Sequence, residues 1–227
     1  MVDIYWASLN PTWILAEEPV SVWKEYTKSS IHQKSDGVSE CPSFTGHMKN
    51  YFGLRSDWAF DFSFDKETNE VRASNINDYE RAMFLRNEDT NLWSFKNNFI
   101  FFTDAPSLNV HFNLPPWLED NVFSNNTKPL AGSMDIGKWF RPTEYAFYLK
   151  GSEMKIKYGE IQQYIYVETD ENINWIKFAP DEKVRFWIDS FSQEQKGIRR
   201  KKLPWFYDHI SNKLKNKLLA DIRNAVV

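Results

Sequence analysis

With 227 residues, 42% of them hydrophobic and 26% charged, the chain has an ordinary soluble composition. At this length it can bury roughly 70–75% of its unfolded surface, so stability requires no metal or disulfide staple. A net charge of −3 and a pI near 5.9 exclude any global attraction to nucleic acid or anionic lipid.

Phe, Tyr and Trp make up 17% of the chain, and many alternate with polar residues, as in Phe60-Asp61-Phe62-Ser63-Phe64. A period of two marks strands with one wet face and one buried face, so a mainly antiparallel β fold is expected. Ile4-Tyr5-Trp6-Ala7 reads as a first short strand that ends at the turn signal Asn10-Pro11. Residues 20–29 fit one short helix with Val22, Trp23 and Tyr26 on a face. From Cys41-Pro42 to about Trp175 the pattern is β throughout. Expected strands are 58–64, 70–74, 81–86, 91–96, 98–103, 108–112, 144–150, 153–158, 161–168 and 173–178. The turn at 65–69 joins two alternating runs as a hairpin. A longer loop from Pro115-Pro116-Trp117 to Gly137 interrupts the series.

The period changes after Pro180. Val184, Trp187, Ile188 and Phe191 fall at i, i+3, i+4 and i+7 within Asp181–Gln195, an amphipathic helix. Pro204 precedes a second helix whose apolar stripe is Phe206, Ile210, Leu214, Leu218, Ile222 and Val226. Each helix has an apolar face that must be covered, so both are expected to pack on the sheet. The expectation is one domain over 1–227: a β core to residue 180, built as a sandwich or jelly-roll or barrel, with a helical extension over 181–227.

Chemistry-bearing motifs are sparse. His32, His47, His111 and His209 lack metal-ligand spacing, so no metal is expected. The weak alternative brings His47 and His111 together with Asp57 or Glu160. The lone Cys41 excludes an intrachain disulfide, suits a reducing compartment and reads as a buried structural thiol. Phosphate-cradling glycine motifs and a nucleophile elbow are absent, and no cofactor is expected. The first residues lack a basic segment followed by an apolar core, so no signal peptide is expected. No apolar run approaches the roughly 20 residues of a membrane helix, and no membrane partner is expected.

Four features bear on binding chemistry. Arg141, beside Trp139 and Phe140, has a guanidinium fork for a carboxylate or phosphate; the plainer reading pairs it with Glu144 or Glu160 at a corner. Gly159 before Glu160 permits a positive φ at the bend into the strand that carries Gln162. Trp58, Trp117 and Trp139 lie near turns, where flat rings can stack on sugars or bases, although most of the aromatic residues must fill the core. Arg199, Arg200, Lys201 and Lys202, with Lys196 and the last-helix lysines 213, 215 and 217, make the C-terminal part basic. Such a patch suits nucleic acid or an acidic protein, and the helix lysines also suit a solvated face.

Cys41-Pro42, Lys49-Asn50-Tyr51-Phe52, Arg55-Ser56-Asp57 and Lys138-Trp139-Phe140-Arg141-Pro142 resemble segments of uncharacterised proteins from marine T4-like tailed phages. Tyr158-Gly159-Glu160-Ile161-Gln162-Gln163 is similar to the closing strands of a wider phage and bacterial family of unknown function, and also to those of dUTPase-like barrels, whose other nucleotide motifs are missing here. The resemblance spans most of residues 1–180 and implies a viral origin, hence a place in the host cytoplasm or the virion.

The leading expectation is a non-enzymatic viral binding or assembly protein that meets a protein partner, or further copies of itself, through an aromatic-rich β surface. Its candidate ligand-binding residues are Trp117, Trp139, Arg141, Glu160 and Gln162. One alternative is a small-molecule enzyme with a cupin-like or dUTPase-like pocket around Arg141, Glu160, His111 and Gln162; another is a host-directed effector that binds a cellular protein.

Overall fold

The first strand and its neighbour carry apolar side chains on both faces, as in Ile4-Tyr5-Trp6-Ala7 and Phe99-Ile100-Phe101-Phe102. A strand of that kind must be covered twice. The computed structural model shows how; it describes residues 1–10, 12–28, 41–57, 59–65, 70–73, 83–87, 92–95, 99–112, 127–197 and 203–227.

The protein is mainly β. Strands β1 (Val2–Ser8), β8 (Phe99–Phe102) and β15 (Ile173–Lys177) form a sheet in the order β15-β1-β8. A second sheet has the order β11-β9-β14-β3-β2, from Gly132–Asp135, Asn109–Phe112, Ile161–Val167, Tyr51–Arg55 and Val20–Ser21. A third has the order β10-β12-β7-β6, from Thr127–Pro129, Tyr145–Leu149, Leu92–Phe95 and Met83–Asn87. A fourth has the order β13-β4-β5, from Glu153–Ile156, Phe60–Asp65 and Glu70–Ala73. The four α-helices among the described residues are α1 (Val22–Lys28), α2 (Pro42–Met48), α3 (Glu182–Gly197) and α4 (Leu203–Asn224). The β1–β15 pair is parallel, and the other strand pairs of these sheets are antiparallel.

Alternation along β1 and β8 divides the interior into two cores. Val2, Ile4, Trp6, Phe99 and Phe101 face a core shared with residues of the other three sheets, among them Leu54, Ile165, Trp93, Phe147, Met154 and Ile156. Tyr5, Ala7, Ile100 and Phe102 face a second core, closed by Val184, Trp187, Ile188 and Phe191 of α3 and Leu218, Leu219 and Ile222 of α4. The central sheet is thus the middle layer, with sheets on one side and the helical hairpin on the other.

The helices are held as their sequences require. Asp181 caps α3, its Oδ1 accepting the Val184 N–H at 2.9 Å. Trp187 donates its indole N–H to Asp221 at 2.9 Å, which ties α3 to α4. From α4, Arg223 donates to the Tyr5 hydroxyl at 3.0 Å and pairs with Asp104 at 3.0 Å. The Lys215 ammonium donates to the carbonyls of Ala105 and Gly137, and burial pushes its pKa down. The chain then returns to the sheet, as Ala179 donates to the Ala225 carbonyl and Val227 to that of Lys177.

All ten expected strands appear, each within two residues at either end, and both C-terminal helices pack as expected. The 65–69 hairpin is present as the Asp65–Glu70 pairing of β4 with β5. Four local expectations are corrected. Residues 42–48 are helical because Pro42, at the first helical position, is pre-set for the helix, and the Thr45 N–H donates to the Cys41 carbonyl to close its first turn. Cys41 is consequently exposed at the start of α2, where the chain enters the helix from outside. The stretch 127–137 of the expected long loop contains β10 and β11, which pair with β12 and β9. Val226 lies beyond α4, paired through its backbone with Phe178 and 44% exposed.

Burial on both faces makes a measurable prediction. Phe101→Ala and Phe102→Ala, on opposite faces of β8, should each cost about 3–5 kcal/mol in urea denaturation. A strand with one wet face would show that loss for only one of the two.

Candidate functional site: a ring row on the second sheet

The second sheet buries Phe52, Leu54, Val110, Phe112, Ile165 and Val167 on its inner face, so the alternate residues point outward. Pairing aligns His111 of β9, Tyr166 of β14 and Tyr51 of β3 in one row across that outer face. Helix α2 adds His47 from above. His47 lies 5.0 Å from Tyr166 and 5.3 Å from Tyr51 between ring centroids; Tyr51 and Tyr166 are 5.0 Å apart, and His111 and Tyr166 are 5.9 Å apart. Tyr51 is buried, Tyr166 and His111 are half-buried and His47 is exposed, so the row is anchored at one end and open at the other.

A carboxylate borders the open end. Glu168 Oε2 accepts the Asn109 side-chain N–H at 3.1 Å and lies 3.2 Å from His111 Nε2. The Asn109 hydrogen bond, and then that of His111, hold the Glu168 carboxyl below the usual glutamate range. The exposed part of the row therefore presents flat apolar faces, imidazole edges and one anion side by side. It can stack planar groups and accept hydrogen bonds at its rim.

His47 and His111, the pair of the weak metal alternative, both flank Tyr166, and the carboxylate beside His111 is Glu168 instead of Asp57 or Glu160. Among the described residues no three His, Cys, Asp or Glu side chains gather in a metal-binding group. Asp57 is buried elsewhere, accepting from Ser8 Oγ and Asn10 Nδ2, both at 2.8 Å. Beside it, Lys177 donates to the carbonyls of Ile14 and Ala16 and lies 5.5 Å from the Trp6 ring centre. Burial pushes the Lys177 pKa down and the Asp57 charge opposes this. That cluster fastens the 3-10 turn Trp13–Leu15 to the ends of β1 and β15.

The other candidates that the structure describes make contacts within the scaffold. Trp139 is half-buried and stacks on Tyr207 of α4 at 4.6 Å, joining the two cores. Arg141 donates to the Pro142 carbonyl at 3.4 Å. Gly159 adopts φ +80° and donates to the Ser56 carbonyl, while Glu160 accepts the Lys157 N–H at 2.7 Å and so closes the turn. Gln162 is buried in β14. His111 pairs opposite Tyr166 near the end of β14, whereas Glu160 lies in the turn before the start of that strand, so the two are not brought together. Trp58, Trp117, His32, Arg199, Arg200, Lys201 and Lys202 lie outside the described residues. So do the side chains of Lys196 and His209. Of the last-helix lysines, Lys213 and Lys217 are exposed, while Lys215 turns inward to its two carbonyls.

No family model, curated protein or solved structure matches the chain.

Tyr51, Tyr166, Glu168 and Asn109 were not singled out from the sequence. A signal existed for two of them, since Tyr164, Tyr166 and Glu168 share the outward parity of one strand.

The depressed Glu168 pKa fixes a sign. A carboxyl titrating lower in the folded chain favours folding above its unfolded pKa and loses that contribution as pH falls through the folded value. In a carboxyl-carbon NMR titration, Asn109→Ala should raise the Glu168 midpoint toward the ordinary glutamate value, because the amide is its main support. An unchanged midpoint would contradict this geometry. At the bend, Gly159→Ala should cost about 1–2 kcal/mol in thermal unfolding through backbone strain alone, since no atom crowds the added methyl.

Proposed function

We propose that the chain is a non-enzymatic binding or assembly protein of a tailed phage, acting in the host cytoplasm or the virion, and that the ring row on the second sheet is its contact surface. The observation that carries this reading is the convergence of His47, Tyr51, Tyr166 and His111, from two strands of one sheet face, the neighbouring strand and a helix, with Tyr166 half-buried between two imidazoles. Tyr rings offer apolar area at small entropic cost together with a polar tip, a combination favoured at the energetic centres of protein interfaces, and the two imidazoles extend the flat surface on either side of Tyr166. The Glu168–His111 edge supplies the polar rim such a centre needs. The partner is a protein, including a further copy of the chain. The viral setting rests on the resemblance of residues within 1–180 to tailed-phage proteins.

Sedimentation velocity over a range of concentrations, alone and with candidate partner proteins, tests the reading. Tyr166→Ala and His111→Ala should each weaken association about tenfold or more, the effect of losing ~1.4 kcal/mol at an interface centre. Both variants should keep a cooperative thermal transition. Association of equal strength in the wild type and both variants would remove the ring row from the mechanism.

A further inference from the structure

Two strand edges face each other across one groove. β15 is an edge of the central sheet and β2 an edge of the second. Pro19, Val20 and Ser21 line one side of a space of about 320 Å3, and Ile173 and Trp175 line the other. The groove continues past Asn172 into a further space of about 350 Å3.

The parallel pairing with β1 decides which β15 backbone groups point into it. Val2 N–H donates to the Asn172 carbonyl and Phe178 N–H to the Trp6 carbonyl. With Ile4 opposite Trp175, the slanted parallel ladder uses the backbone of Asn172, Asn174, Ile176 and Phe178. The N–H and C=O groups of Ile173 and Trp175 therefore point away from β1, toward the groove, and have no hydrogen-bond partner among the described residues. The floor is apolar: the Phe52 and Trp175 rings meet edge to face at 5.1 Å, and Ile173 packs against the same core.

We propose that this groove receives an extended peptide from a partner protein, which adds to β15 as a strand and lies against β2, making the central and second sheets continuous. Two donors and two acceptors alternating along one line at strand spacing are matched by another extended backbone, and main-chain pairing of this kind is an established mode of peptide capture. The floor selects apolar residues at alternate positions of the incoming strand. Charge orders its ends: Glu18 and Glu25 line the part near Trp175, Lys49 and Glu171 the part near Asn172, and Lys24 lines both, so the first part is acidic on balance and the second basic, which favours a basic residue at the first and an acidic one at the second. This surface is separate from the ring row. Successive residues of β3 serve the two, Tyr51 turning outward to the rings and Phe52 inward to the groove floor.

Amide hydrogen exchange, read residue by residue by NMR, tests the proposal with two blocked heptapeptides, Lys-Val-Thr-Val-Thr-Val-Glu and the same sequence with Lys and Glu exchanged. In the chain alone, the Ile173 and Trp175 amides should exchange fast and those of Asn174 and Ile176 slowly. One of the two peptides at millimolar concentration should slow Ile173 and Trp175 at least about tenfold, the equivalent of ~1.4 kcal/mol of added protection. Methylating the valine amides or the threonine amides, in separate peptides, blocks one peptide edge at a time, and at least one of these must lose the effect. Three results overturn the proposal: Ile173 and Trp175 already as protected as Asn174 in the chain alone; no slowing by either peptide; or equal slowing by both methylated forms.

Discussion

Placing the first strand between β15 and β8 is the constraint from which the rest of the architecture follows. Val2–Ser8 is apolar on both faces, so it cannot lie at a surface. Its parallel partner comes from Ile173–Lys177, near the far end of the β region, so the intervening strands must be accommodated around that pair. One face of the central sheet closes the core made with the other three sheets, and the opposite face creates the demand that α3 and α4 satisfy. The C-terminal helices are therefore a structural layer. Without them Tyr5, Ala7, Ile100 and Phe102 would face water.

Polar side chains at the layer boundaries are spent on holding these layers in register. Asp57 gathers Ser8 and Asn10; Lys177 gathers the Ile14 and Ala16 carbonyls; Lys215 gathers those of Ala105 and Gly137; Arg223 spans Tyr5 and Asp104. In the first three cases a charged group satisfies backbone or side-chain groups near a strand end or in a loop, where no sheet ladder is available to do so; Arg223 instead ties the middle of β1 to the loop at Asp104. Gly137 belongs to the same design, since an added Cβ there would meet the Ala105 carbonyl oxygen at 2.6 Å.

What the scaffold leaves for recognition lies on and beside the second sheet. Its outer face carries the ring row with the Glu168 edge, and its β2 margin faces β15 across the groove. The two surfaces differ in physical character. The ring row presents side-chain faces and edges and depends on shape and stacking, whereas the groove presents main-chain groups and depends on the extended form of whatever enters it. β3 links them, because its pleat sends consecutive aromatic residues to opposite sides.

The sequence alone determined most of the strands and the two long helices, because each segment's apolar period reports how many of its faces are covered; the short strands β2, β3, β10 and β11 were not legible in it. Val184, Trp187, Ile188 and Phe191 could only be one stripe of a helix, and all four are buried. The bend at Gly159 was legible too, since only glycine reaches φ +80° cheaply. Local pattern could not reveal which strands pair, because backbone hydrogen bonds carry no residue code. The parallel β1–β15 ladder, the alignment of His111 with Tyr166 and Tyr51, and the facing edges of β15 and β2 therefore emerged only from the tertiary structure. The same holds for the nominated residues: Trp139, Arg141 and Glu160 stood out by type, but their neighbours in space, the Tyr207 ring, the Pro142 carbonyl and the Lys157 amide, give them scaffold contacts. Residue chemistry is written in the chain, whereas the company each side chain keeps is set by register across strands distant in sequence.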